Sequence, residues 1–529
     1  MRTCLKFLLT LSFLTMASAA TAIPTEQLSA PTTSGPTLSA DAALFPRPAL
    51  LQPRIDFWSR VFSEYSEYQS VIHLQDAPQK IYTVLDFRGD AAERGPAEAR
   101  RRQRKAEIAT KKEVDGYLRH IHMVRDHPEQ LSPVERRIYE LLADNSDPDR
   151  YKDAVGRFRA QRGLREATAR AVEVSGSYLP RMEQIFAEAG LPVRLTRLPL
   201  VESSFNVEAY SKVGAAGLWQ FMPSSARIYM RLDEAVDDRR DPWTSTRAAA
   251  AHLKADYAEL GSWPLAITAY NHGRGSLQRG LREVKGETLE DLVAGWNGRR
   301  FGFASKNFYT EFLAASDVEL NHGAHFGTIA RSAPLDFEIF ETRDYVSYAT
   351  LQNISDVDEK LFRQLNPGFR PEVLDGRLHV PPQTRIRLPV GRVDAFKNAY
   401  AALGDTDRLA QQRFYYVRYK VRGGDNLGSI ARRYGVSVSS LKQANSVSNP
   451  RALRVGQTLR IPPRGGARTV KISALPEPSV PGTHKVRPGQ SLSTIARRYQ
   501  TSIEALMRLN GLDDAHSLRS GLVLKIPST

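Results

Sequence analysis

The chain of 529 residues is long enough for several domains, and its 41% hydrophobic, 25% charged composition excludes wholesale disorder, collagen and a coiled coil. Its one cysteine, Cys4, excludes a disulfide framework and a cysteine-ligated zinc site. The net charge of +16 is concentrated after Arg408: residues 411–529 hold 20 Lys and Arg against 5 Asp and Glu, so an acidic partner is expected there.

Residues 1–22 combine a basic start (Arg2, Lys6), an apolar run from Phe7 to Met16 and small residues at Ala17–Ala22. That is the layout of a cleaved secretory signal peptide, and the apolar run is too short to span a bilayer. Export to a periplasm or cell envelope is therefore expected, with peripheral envelope association compatible and no lipid on Cys4. Residues 23–53, rich in Pro, Ser, Thr and Ala, read as a linker. Residues 54–165 read as a helical, highly charged region in which Glu93–Lys112 is an exposed helix and His120, His122 and His127 are exposed rather than ligating.

Apolar periodicity is strongest over 166–330, where Ala248–Leu260 and Trp263–Tyr270 read as helices stopped by Gly261 and Gly273. Three strings stand out: Leu200-Val201-Glu202-Ser203-Ser204-Phe205, Gly214–Pro223 and Ala269-Tyr270-Asn271-His272-Gly273. Glu202 sits in apolar surroundings, so its carboxyl resists ionisation and can donate a proton near neutrality. Gln220 and Asn271 suit sugar hydroxyls and acetamides, and Trp219 and Tyr270 offer flat faces for sugar rings. No second acid lies inside the strings; Glu208, Asp233 and Asp237-Asp238 between them read as surface residues.

In order and spacing the strings resemble the soluble-lytic-transglycosylase catalytic domain, a lysozyme-like helical fold. The resemblance makes Glu202 the catalytic acid/base, with Ser211, Gln220, Met222, Tyr270 and Asn271 binding substrate. Trp219 stands where that family commonly has Met. The family's Glu-Thr-Arg-x-Tyr-Val string is only echoed at Ala304–Tyr309, without its Glu.

Residues 340–390 carry a degenerate echo of the repeat that ends the chain, in Leu351, Ile354, Leu365-Asn366 and Ile386–Pro389. The repeat itself is plain: Tyr419–Pro462 aligns without a gap on His484–Pro527, with 19 of 44 positions identical. Each copy reads strand, amphipathic helix (Leu427, Ile430, Ala431, Tyr434; Leu492, Ile495, Ala496, Tyr499), second helix, strand. This βααβ unit resembles the LysM module, which binds N-acetylglucosamine-containing glycans. Modules are expected at 417–463 and 483–528, joined by a linker at 464–482. Nucleic acid is not expected as a partner, because export removes it and aromatics do not interleave with the basic residues.

The fold expected is thus multidomain α+β: a mainly α lysozyme-like catalytic domain followed by small βααβ LysM modules. A peptidoglycan lytic transglycosylase with no metal or cofactor, acting as a monomer, is the function the resemblances imply. A hydrolytic muramidase on the same fold, which needs a positioned water and a second carboxylate, is one alternative. A non-catalytic wall-binding scaffold is the other.

Overall fold

The computed structural model describes residues 38–412 and 416–445 and, beyond them, a discontinuous set within 447–462, 482–486 and 492–526. The segment 1–22 expected as a signal peptide lies outside the described residues, as does the linker expected at 464–482 except for Gly482, which opens a strand. Among the described residues no helix is long and apolar enough to cross a membrane. The protein is mainly helical, with small antiparallel sheets.

Residues 38–44 form a short helix. The expected linker to residue 53 ends earlier than its composition implies, because Phe45 and Leu51 are fully buried core residues. Helix α1 (Gln52–Ser63), started by Pro53, buries Ile55, Phe57, Trp58, Val61 and Phe62 in the core that also holds the helices around Glu202. The boundary expected at residue 165 therefore runs through a shared core.

The segment expected to be helical also contains a three-stranded sheet. Strands β1 (Gln69–Leu74), β2 (Ile81–Asp86) and β3 (Phe158–Arg162) pair antiparallel in the order β2-β1-β3. The charged run lies on an exposed helix, Pro96–Met123, whose buried Val114, Leu118 and Ile121 pack on that sheet in a second core. His120 sits beside Glu135, 2.7 Å away, as part of a helix-capping arrangement with Ser132.

The remaining helices around Glu202 are α2 (Leu198–Glu202), α3 (Pro242–Leu260), α4 (Trp263–His272) and α5 (Phe303–Leu320). Asp241 caps α3 by accepting the Trp243 and Thr244 amides, and Gly261 ends it in a left-handed conformation. Helix α5 is buried almost all round, with Phe308, Phe312, Leu313 and Ala315 inside. Helix α1 and strand β3 clamp it: Arg54 and Trp58 both donate to Asn307 Oδ1, at 3.1 and 3.3 Å, and Arg159 lies over the Phe303 ring at 4.3 Å.

Three two-stranded units follow. Strands β4 (Glu338–Glu341) and β5 (Arg385–Leu388) pair around a separate core. Strands β6 (Val417–Lys420) and β7 (Thr458–Ile461), then β8 (Gly482–Lys485) and β9 (Val523–Ile526), pair in the same antiparallel manner. In the 417–461 unit the first helix, Leu427–Tyr434, is capped by Asn426 and buries Leu427, Ile430 and Ala431, the face expected from its spacing.

Candidate active site

Glu202 closes a five-residue helix that begins with Pro199 near its N-terminus. The chain then turns sharply, with Ser204 and Phe205 at φ 50° and 55°. A buried phenylalanine in the left-handed region is strained, and such strain persists only where surrounding contacts fix it. Here Ser203 Oγ donates to Leu218 O at 2.9 Å, tying the end of α2 to the segment 214–221.

That segment is held by its carbonyls, two caught by one arginine, one by a side chain of the segment itself and one from α4. Arg239 Nη1 donates to Gly214 O at 2.6 Å and Phe221 O at 3.1 Å; Gln220 Nε2 donates to Gly217 O at 2.8 Å; Tyr270 Oη donates to Trp219 O at 2.8 Å. Gly217, at φ 76°, is required twice over: a Cβ there would lie 1.8 Å from Arg239 O. Arg239 is itself buried and gripped by Asp237 at 2.8 and 2.7 Å. Ser211 braces the entry to the loop, its Oγ accepting the Ala215 amide at 2.8 Å.

These contacts sort the expected site residues. Asn271 is exposed on α4, where its Oδ1 accepts from Ser305 Oγ at 3.1 Å. Met222 is 40% exposed at the start of the Pro223–Tyr229 helix. Tyr270 is half-buried, with its hydroxyl committed to the loop, and Gln220 likewise commits its amide N–H to the loop. Trp219 does not offer a face to a sugar: it is fully buried, stacked on Phe186 at 5.6 Å, and donates to Thr246 Oγ1 at 2.9 Å. Asp237 is a second correction, since it is buried in an ion pair rather than lying on the surface.

Glu202 is half-buried, and burial pushes its carboxyl up to about 8. The structure also supplies an acid that the sequence strings did not. Glu311 on α5, also half-buried, is pushed up to about 8 by burial and then by the charge of Glu202, against a smaller opposing pull from Arg159. Among the described residues neither carboxyl has a hydrogen bond or ion pair. Glu311 lies seven residues after Ala304, two turns along the same helix face. Tyr270, buried beside Glu202 and Asp256, is held far above the usual tyrosine range.

A literal Glu-Thr-Arg-Asp-Tyr-Val string does occur, at 341–346, but it starts on β4 in the separate third core. A cleft of about 280 Å³ between Arg231, Asp238 and Asp241 on one side and Glu341, Gln383 and Arg385 on the other does not include Glu202 in its lining. Chemistry rather than concavity marks the site. No group of three or more His, Cys, Asp or Glu suited to a metal ion occurs among the described residues.

Comparison with known proteins bears on the family rather than on the geometry. The family model of the transglycosylase SLT domain matches residues 187–292, which include Glu202 and all three strings but stop short of Glu311. The LysM family model matches residues 419–462 and 484–527. A membrane-bound lytic murein transglycosylase D of Escherichia coli (strain K12) is 30% identical over 351 residues, which is 63% of this chain and 72% of that protein. The probable peptidoglycan endopeptidase LytE of Bacillus subtilis (strain 168) is 36% identical over 113 residues, 21% of this chain and 32% of its own. The crystal structure of the soluble lytic transglycosylase SLT70 of Escherichia coli overlaps slightly, at TM-score 0.23 and 20% identity over 30% of this chain and 26% of that one. With its SLT domain, its paired LysM modules and a full-length relative covered over more than two thirds, the chain belongs to the membrane-bound lytic murein transglycosylase D family.

Proposed function

We propose that Glu202 cleaves the β-1,4 bond between MurNAc and GlcNAc in peptidoglycan without water, as a lytic transglycosylase held to the wall by LysM modules. The observation that carries this reading is a carboxyl kept neutral by burial at physiological pH, with no counter-ion, at the end of a helix pinned to a rigid loop. In its protonated form Glu202 gives its proton to the glycosidic oxygen, and the GlcNAc leaving group departs. The resulting carboxylate takes the proton from the C6 hydroxyl of the same MurNAc as that oxygen attacks C1. The product is a 1,6-anhydro-MurNAc end, and Glu202 regains its proton. Because the nucleophile belongs to the substrate, its effective concentration is already high.

Asn271 and Met222, the exposed members of the set, meet the sugar amide and its apolar face. Ser211, Gln220 and Tyr270 act by holding the loop. The signal-like segment 1–22 and the basic tail fit a protein exported to the envelope, where the wall is acidic.

Glu311 gives the hydrolytic alternative its second carboxyl. To activate a water it must be ionised, yet burial holds it up to about 8, so near pH 7 it is mostly protonated. The non-hydrolytic reading is therefore favoured. Mass analysis of soluble products from purified sacculi decides: anhydro-muropeptides support it, and products heavier by one water with reducible muramic ends overturn it.

A further inference from the structure

The same side-chain clasp occurs three times in the chain. Asn445 directly follows the second helix of the 417–461 unit. Its Nδ2 donates to Leu441 O and Arg460 O, both at 2.7 Å, and its Oδ1 accepts the Arg460 amide at 2.6 Å. Asn510 repeats this with Leu506 O at 2.7 Å, Lys525 O at 2.8 Å and the Lys525 amide at 2.6 Å. Asn366, directly after the Glu359–Leu365 helix, does the same with Phe362 O and Arg387 O at 2.9 Å and the Arg387 amide at 2.8 Å. One amide thus locks helix to closing strand in each unit. The strand registers agree as well, with Ile339↔Arg387, Arg418↔Arg460 and Thr483↔Lys525 in equivalent places. Residues 338–388 lie outside the stretches that the LysM family model matches, yet they share its architecture.

What differs is the connection from the clasp to the closing strand. It spans 21 residues from Asn366 to Arg387, against 15 in each of the other units. The extra chain pairs with the catalytic region. Gly368 O accepts the Asp237 amide at 2.8 Å, the Arg370 amide donates to Ala235 O at 3.0 Å, and Phe369 bridges Val236 in antiparallel fashion. Arg370 Nη2 reaches Asp237 Oδ2 at 3.4 Å. The basic residue of the closing strand, Arg387, is buried with its Nη2 donating to the α3 cap Asp241 at 2.9 Å. From Asp237 the chain of contacts continues through Arg239 to Gly214 O and Phe221 O, the two ends of the loop beside Glu202.

We propose that Glu338–Leu388 is a third LysM-fold unit converted from a glycan reader into a brace, in which Arg370 and Asp237 are positioning residues that fix the 214–221 loop for cleavage. The inference rests on the transglycosylase reading for its kinetic arm only. The longer connection is covered by backbone pairing with the 231–238 hairpin, so the unit's contribution is geometric; the 417–461 unit reaches that hairpin only through side chains, Arg418 and Arg460 meeting Glu234 at 3.4 and 3.5 Å. Catalysis is steep in geometry: a misplacement of about 1 Å is worth roughly a hundredfold in rate.

The test uses the full-length protein with Arg370→Gln, Arg370→Lys and, as a second cut at the same contact, Arg231→Gln, which removes the hydrogen bonds to Pro382 O and Thr384 Oγ1. Three quantities are measured: amide hydrogen exchange across 209–223, kcat and KM for product release from soluble glycan chains, and sedimentation with sacculi. The brace predicts faster exchange in the loop, kcat lowered by about tenfold with KM little changed, unchanged sedimentation, and recovery in Arg370→Lys. Unchanged loop exchange in both Gln variants overturns it. So does sedimentation lost with kcat intact, which would make the unit a glycan reader. Wild-type protein that releases no product counts against the transglycosylase reading alone, and the exchange arm still decides the brace.

Discussion

Two regions of the catalytic body bury acids, and they treat them in opposite ways. Around Asp237 and Glu319, burial works to raise the carboxyl, but Arg239 and Arg370 in one case and Arg197 and Arg331 in the other more than offset it, and both acids end below the usual range. Around Glu202 and Glu311 burial is left almost unopposed and both end near 8. Asp256 stands between the extremes: burial raises it to about 6 although Arg274 lies 3.3 Å away. The partner, not the depth, separates an acid that holds the fold together from one that can pass a proton.

The sharpest way to break this contrast is Glu202→Gln. Product release should fall by roughly 10²–10⁴-fold, measured on sacculi. The same change should make the folded protein more stable above neutral pH. Glu202 is raised above its ordinary 4.5, so the folded state keeps a proton that the unfolded state has lost. Its contribution is fully present below 4.5 and is lost as pH rises through about 8. A Gln variant that is active, or less stable than wild type at pH 8, would erase the distinction.

On the other side, Arg239→Met leaves the Asp237 carboxylate with only Arg370, 3.4 Å away, and should cost up to about 3–5 kcal/mol in denaturant unfolding. The double change Arg239→Met with Asp237→Leu should recover much of it. If the single change is silent, the pair is not structural.

A subtler probe is pH. Activity should be level through neutrality and fall as pH rises through about 8, where Glu202 ionises. Glu311→Gln should move that limb to lower pH, because an ionised Glu311 no longer repels the charge forming on Glu202. A limb that stays in place would show that the two carboxyls titrate independently. The smallest effect on chemistry belongs to the clasps. Asn445→Leu leaves buried polar groups of Arg460 unpaired, at a cost of about 1–3 kcal/mol to that module. Binding to sacculi should weaken while kcat on soluble glycan is unchanged.

Much of this was written in short stretches of sequence. Glu202 was legible because an acid flanked by Leu200, Val201 and Phe205 announces its own environment. The LysM repeats were legible because strand, helix and closing strand recur within 44 residues. The 340–390 echo was visible for the same reason, its Asn366 and its closing strand being local marks. Glu311 was not, since a helix buried on nearly every side has no polar face from which one acid stands out. Nor was the sheet, because β1 pairs with β3 across the whole charged helix. Trp219 was misassigned because flat aromatics serve cores and sugars alike, and only its contacts with Phe186 and Thr246 decide between them.

The clamp on α5 bears on how this enzyme could be made portable. A cassette cut to residues 187–292 would lack α5 altogether, and with it Glu311 and Ser305. One begun at residue 166 would keep α5 but strip away Trp58, Phe62 and the two donors to Asn307, leaving an apolar flank and a buried amide bare to solvent. Grafting the activity into another exported scaffold should therefore start no later than Phe45, and it has to carry the 338–388 unit at the other end to keep Arg387 on Asp241.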